Sequence, residues 1–184
     1  MSLLKALQSR NSHPRLTEPG PSEDQLDHIV LAGLRAPDHG RLRPWRFVAV
    51  SGDRREALGA VFERALLMSK PEATDAERAK ARNAPLRAPL VLVGFLTPQC
   101  HPKVPRVEQA ASAACALHAM LLAADALGFG AVWRTGSYAR EPAVIRELGG
   151  APSDEIMGFL YIGTRDGEAK PLPEELISTY LSHY

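Results

Sequence analysis

The sequence predicts one domain of interleaved helices and strands that does not follow the βαβ order of a doubly wound sheet, and three stretches carry that prediction. Residues 22–34 open with a capping box and continue with an apolar face at helical spacing. Residues 89–97 are almost continuously apolar and bounded by prolines, the pattern of a strand covered on both faces. Residues 107–127 form a long alanine-rich helix that Gly128 ends.

Composition narrows the function classes. With 184 residues, 45% hydrophobic and 23% charged, the chain is ordinary for a globular protein, and a net charge of +1 gives no reason to expect a nucleic-acid surface. No apolar run approaches the roughly 18 residues of a membrane span, and residues 1–15 lack a signal-peptide core, so a cytoplasmic location is expected. Cys100 and Cys115 have no CxxC spacing and read as plain thiols. Together with His101 and His118 they do not make a well-spaced set of four ligands, so no metal is expected.

Taken in order, Leu3, Leu4 and Leu7 sit at helical spacing in residues 1–8, a short amphipathic helix that Pro14 stops. The segment 9–15, Ser-Arg-Asn-Ser-His-Pro-Arg, suits a phosphate held by charge-assisted hydrogen bonds, or is a solvated basic turn. After the Pro19-Gly20-Pro21 turn, Ser22 and Gln25 start a helix whose face is Leu26, Ile29, Val30, Gly33 and Leu34. Pro37 terminates it and places Arg35 in the last turn, where it complements the helix dipole.

The next loop packs His39, Arg41, Arg43, Trp45 and Arg46 between Pro37 and a strand, with Pro44 stiffening the backbone. It reads as a ligand-holding loop: three guanidiniums for an anion, an imidazole that titrates and one flat apolar side chain. Residues 46–51 are a strand, and Leu58, Val61, Phe62, Ala65 and Leu66 are the buried stripe of the next helix. Residues 70–87 are charged, with a second capping box at Thr74 and Glu77, and read as a surface excursion serving as a rim or lid.

The 107–127 helix is apolar nearly all round, so it either runs through a core or meets a second subunit. Residues 131–133 are a short strand leading to Arg134, Thr135 and Gly136; residues 137–148 are helical with Pro142 near the first turn; residues 156–163 are another apolar strand. The last residues, 176–184, form a tail that packs elsewhere. No GxGxxG, GxxxxGK[ST] or GxSxG element occurs, which argues against Rossmann binding, a P-loop and serine hydrolase chemistry.

Four stretches, in this order and spacing, make the chain similar to a known family: residues 9–15, the loop from Arg35 through His39 to Pro44 and Trp45, residues 81–89, and Gly-Phe-Gly-Ala-Val-Trp-Arg-Thr-Gly at 128–136. They resemble the FMN-dependent nitroreductases, most closely a minimal bacterial subgroup, over residues 3–165. The resemblance implies one α+β domain spanning 1–184, a central mixed antiparallel sheet flanked by helices, and a homodimer with FMN at the subunit interface. It places Arg10, Asn11, Ser12, Trp133, Arg134 and Thr135 on FMN, with Arg35 and His39 approaching the flavin from the partner subunit.

It also implies NAD(P)H as co-substrate and ping-pong reduction of nitroaromatic or quinone-type acceptors. FMN would carry the redox chemistry, so no catalytic acid or base is required; His39 is the one nearby candidate for proton delivery, weighed against a structural role. Where the family usually has Asn-x-Gln-Pro-Trp, this loop has Arg41-Leu42-Arg43-Pro44-Trp45, and Asn11 replaces a common arginine. Arginine accepts no hydrogen bond, so any contact made by the asparagine carbonyl is lost. Two alternatives stay open: a flavin-binding or delivery protein with little turnover, and a module for another phosphate-bearing ligand without flavin.

Overall fold

The computed structural model describes residues 3–184. In chain order its main elements are α1 (Leu3–Ser9), β1 (Leu16–Thr17), α2 (Glu23–Gly33), β2 (Trp45–Ser51), α3 (Arg54–Ser69), α4 (Asp75–Arg82), β3 (Leu90–Leu96), α5 (Arg106–Ala126), β4 (Gly130–Arg134), α6 (Pro142–Glu147) and β5 (Glu155–Arg165). Every strand pairing is antiparallel. β3 lies between β2 and β5, β4 pairs with β5, and the two-residue β1 pairs with the end of β5.

All seven residues of β3 are buried, as its two-sided apolar run demands. Val91, Val93 and Phe95 face a core completed by Leu58, Val61, Phe62 and Ala65 of α3. Leu90 and Leu92 face the opposite core, built from Ile29 of α2 and Leu117, Met120 and Ala124 of α5. Burying a side chain such as Phe62 stabilises the fold by about 1.5–3 kcal/mol. On the α5 side, a Cβ at Gly94 would overlap Leu117, so the absent side chain lets the helix sit directly on the strand backbone.

Both predicted capping boxes form: Ser22 with Gln25 opens α2, and Thr74 with Glu77 opens α4. Other expectations need correction. Helix α2 ends at Gly33 with Leu34 as its cap, so Arg35 lies beyond the helix. Residues 137–148 are not one helix. Glu141 precedes Pro142 and is extended (ψ 116°), as a pre-proline residue prefers, and this splits the stretch into a 3₁₀ turn, Ser137–Arg140, and α6.

The 70–87 excursion is packed down rather than lid-like. Ala81 is buried, Glu63 of α3 accepts from Arg78 at 2.8 Å and pairs with Arg82 at 3.4 Å, and Gly59 leaves room for the Arg82 carbonyl. Helix α5 is long and apolar enough to cross a membrane by length and composition, contrary to the sequence reading, but it packs against α2 and β3. One face of it, with Ala113, Leu117 and Met120, is buried in the core, while Val107, Ala111, Cys115 and His118 are exposed on the single chain.

Candidate functional site

The predicted site residues fall into two groups. The first gathers on the open edge of β4. After α1 the chain is extended, and the buried His13 donates its backbone N–H to the Ala131 carbonyl at 3.0 Å, pinning the 10–13 segment to that edge. Asn11 braces the segment: its Oδ1 accepts the Ser12 N–H at 2.9 Å, and its Nδ2 donates to the Lys170 carbonyl. Arg10 reaches the Ser12 hydroxyl at 3.4 Å and has no carboxylate partner among the described residues. Arg165 braces the same edge from behind, bound to Asp125 at 2.6 Å and to the Phe129 carbonyl. Burial, reinforced by the Arg165 charge, holds the His13 imidazole below its ordinary pKa.

Because Ala131 offers its carbonyl away from β5, Trp133 shares its phase on the strand and turns its own N–H and C=O toward the same open edge. Side chains alternate across the sheet. Trp133 packs against the α5-side core and donates its indole Nε1–H to the Met157 carbonyl at 3.1 Å. Arg134 goes to the other face, its guanidinium carbon 5.8 Å from the centre of the Tyr161 ring. A ligand lying along this edge therefore meets the β4 backbone, with the two side chains on either side.

Arg134, Thr135 and Gly136 also line an open cavity of about 610 Å³ together with Lys80, Arg87 and Tyr138. Arg134 Nε is buried and, among the described residues, has no hydrogen-bond partner. Tyr138 stacks on Phe62 with ring centres 4.2 Å apart, and burial raises the pKa of both Tyr138 and Tyr161, keeping them as phenols. Sequence reasoning assigned no role to Arg87 or Tyr161. Arg87 lies within the 81–89 motif, but nothing in the primary structure signals that it and Tyr161 converge on Arg134.

The second group is the loop between α2 and β2. His39 begins a 3₁₀ turn, His39–Arg41, and its Nδ1 lies 2.6 Å from Glu108 Oε2 in the first turn of α5. The Leu42 carbonyl accepts from the Gln99 side chain, and Gln99 is clamped by the buried Gln109 through bonds of 2.8 and 2.9 Å. Arg46, read as a ligand donor, is committed elsewhere. It is in β2, donates to the Leu148 carbonyl at 3.3 Å and lies 4.3 Å from the Phe95 ring centre.

Within one chain the two groups stand apart. Trp45 is level with Leu96 and Glu155, at the same end of the sheet as Arg134, but β3 and β5 intervene. At about 4.8 Å per strand the two edges are roughly 14 Å apart. Arg35 and His39 belong to the segment that leads into β2, which β3 and β5 separate from the strand of Trp133.

An antiparallel sheet covered by helices on both faces, with cationic segments at its two edges, defines an α+β sandwich. The Nitroreductase family pattern matches residues 7–164, and the chain belongs to that family. It is 44% identical over 164 residues to the Escherichia coli (strain K12) protein named "Putative NAD(P)H nitroreductase YdjA", covering 89% of this chain and 88% of that one. Its fold is similar to that of a nitroreductase-like family protein from Bacillus cereus, with a TM-score of 0.85 at 22% identity over 100% of this chain and 96% of the other. A nitroreductase with bound FMN from Bacteroides fragilis matches with a TM-score of 0.74 at 21% identity, over 100% and 99% of the two chains.

Proposed function

We propose that this chain is an FMN-dependent oxidoreductase of the cytoplasm that uses NAD(P)H to reduce nitroaromatic or quinone-type acceptors. The observation that carries the reading is the β4 edge: among the described residues the outward backbone groups of Trp133 and the Nε of Arg134 have no partner and Arg10 has no carboxylate, groups that an anionic ligand with polar ring edges would satisfy. Family membership and the FMN-bound relative support it.

FMN, when bound, supplies ping-pong redox chemistry, taking hydride from NAD(P)H and passing electrons to the acceptor. The chain's own residues bind and orient. Arg10, Asn11 and Ser12 hold the phosphate. Trp133 and Thr135 meet the polar ring edge through backbone and hydroxyl groups, and Arg134 keeps positive charge beside it. Arg35 and His39 complete the site from a second subunit, because in one chain their loop leads into β2, which two strands separate from β4. Exposed apolar residues support that homodimer: Leu3, Leu4 and Leu7 of α1, Leu31 of α2 and Val107 of α5. His39, half exposed and paired with Glu108, positions the loop and is available for proton delivery through Nε2.

The test is the visible spectrum of the purified protein, followed by anaerobic addition of NADPH or NADH. A flavin band that bleaches is the expected result. A band that never bleaches would leave a flavin-holding protein, and no bound flavin after FMN is supplied would overturn the reading.

A further inference from the structure

Six of this protein's seventeen arginines are paired with its own acids. Arg55, Arg64, Arg78, Arg82, Arg106 and Arg165 all pair with carboxylates. Arg35, Arg41 and Arg43 do not: among the described residues none of their side chains has a hydrogen bond or an ion pair, yet all three line one open cavity of about 690 Å³ with Trp45. The acid that also lines it, Asp38, is committed to the backbone, its Oδ2 accepting the Arg43 N–H at 2.7 Å.

Three guanidiniums and the single carboxylate of Asp38 line this cavity, so like charges repel there and the local charge is net positive. The backbone is unfavourable for them as well, since Arg41 and Arg43 sit at φ 55° and 50°, a region that bulky residues rarely adopt. The loop is nonetheless held in place, by Gln99 on the Leu42 carbonyl and by Glu108 on His39. A rigid wall of forked cations beside an indole has the chemistry of a receptor for a planar molecule bearing an anionic group. The cavity volume falls within the usual range for small-molecule sites.

We propose that Arg41 and Arg43, beside Trp45 in the cavity whose Arg35 reaches the flavin, recognise a phosphate or carboxylate on a planar substrate, and so select anionic over neutral substrates for the enzyme. This rests on the oxidoreductase reading above. The same chemistry has two sources, the 2′-phosphate of NADPH or an anionic substituent on the acceptor, and the experiment separates them.

FMN-loaded wild type, R41Q/R43Q and R41K/R43K would be compared by kcat/KM for NADPH against NADH, and for 4-nitrobenzoate against the neutral 4-nitrobenzyl alcohol. Calorimetric titration with 2′,5′-ADP against 5′-AMP, and with 4-nitrobenzoate, reads binding without turnover. We expect an anionic preference in the wild type that weakens as salt is raised. It should fall roughly tenfold for each guanidinium removed, with partial recovery in the lysine variant, since one charge-assisted hydrogen bond corresponds to about that factor.

Loss confined to NADPH and 2′,5′-ADP assigns the cavity to the nicotinamide donor; loss confined to 4-nitrobenzoate assigns it to the acceptor. Preferences that move by less than about twofold in yellow, bleachable protein overturn the proposal. If the double variant fails to fold, the single R41Q and the salt dependence of the wild type decide it. If the protein holds no flavin, the oxidoreductase reading fails, while the titrations still report whether the cavity binds anions.

Discussion

The indole of Trp133 lies across Gly158: a Cβ added at that glycine would overlap the indole Nε1, which donates to the Met157 carbonyl at 3.1 Å. One bare position on β5 thus sets the posture of the residue at the end of the edge strand. G158A should displace the indole and cost about 1–3 kcal/mol, the usual effect of overpacking. Urea unfolding measures the loss, and the ratio of flavin to protein absorbance should fall with it. An unchanged unfolding midpoint and unchanged tryptophan fluorescence would mean that the indole does not depend on this glycine.

Arg134 predicts a conflict between stability and function. Among the described residues its buried Nε has no partner, which disfavours the fold, while the proposed cofactor would be its natural counter-group. R134M removes the unsatisfied donor and keeps an unbranched side chain beside Tyr161. Flavin-free R134M should be at least as stable as the flavin-free wild type, yet retain less FMN after dialysis. Both quantities dropping together would show that Arg134 is a packing residue.

His39 and Glu108 are paired at 2.6 Å but are 60% and 46% exposed, so solvent screens them and the pair is worth less than about 1 kcal/mol. H39Q and E108Q should therefore barely change the melting temperature. A positioned proton donor contributes about 10²- to 10⁴-fold, so a turnover loss below about tenfold in H39Q, with no change in pH profile, is the outcome expected of a positioning residue. A hundredfold loss with a displaced pH profile would make His39 the acid.

His13 gives a pH dependence whose sign can be worked out. Its folded pKa lies below the unfolded value near 6.5, because burial and then Arg165 disfavour the imidazolium. In the window below about 6.5 the unfolded chain binds the extra proton, so stability is full above that pH and declines as the solution is acidified. Urea titrations between about pH 7.5 and 5.5 should show this slope, and H13Q should flatten it. An equal slope in H13Q would place the proton uptake elsewhere.

How much of the fold was legible depends on the range of each interaction. The two capping boxes need only residues three apart, and both appear where Ser22 and Thr74 place them. The central position of β3 was readable because a two-sided strand must be apolar at every residue. Arg46 was misread because its neighbours in sequence are loop arginines, whereas strand pairing carries it onto Phe95 and Leu148. β1 carries no signal at all, being two residues recruited by the end of β5.

The candidate site was legible only as separate segments. Arg10, Asn11, Ser12, Trp133, Arg134 and Thr135 were named from the resemblance of their segments to a family, and the His13–Ala131 bond brings the 10–13 segment to the strand that carries Trp133 and Arg134. Arg87 and Tyr161 were not readable as site residues, because only the docking of separate elements brings them toward Arg134.

By itself the sequence determined the identity and order of most helices and strands, the two-sided strand at the centre and the basic loop, because these depend on periodicity, caps and prolines acting over a few residues. Tertiary structure alone decided that Trp133 and Arg134 look to opposite faces, that the strands of Trp45 and Trp133 lie at opposite edges of one sheet, and that, among the described residues, the side chains of Arg35, Arg41 and Arg43 around Trp45 have no hydrogen bond or ion pair. Those facts depend on strand order and packing between residues distant in the chain, which local pattern does not encode.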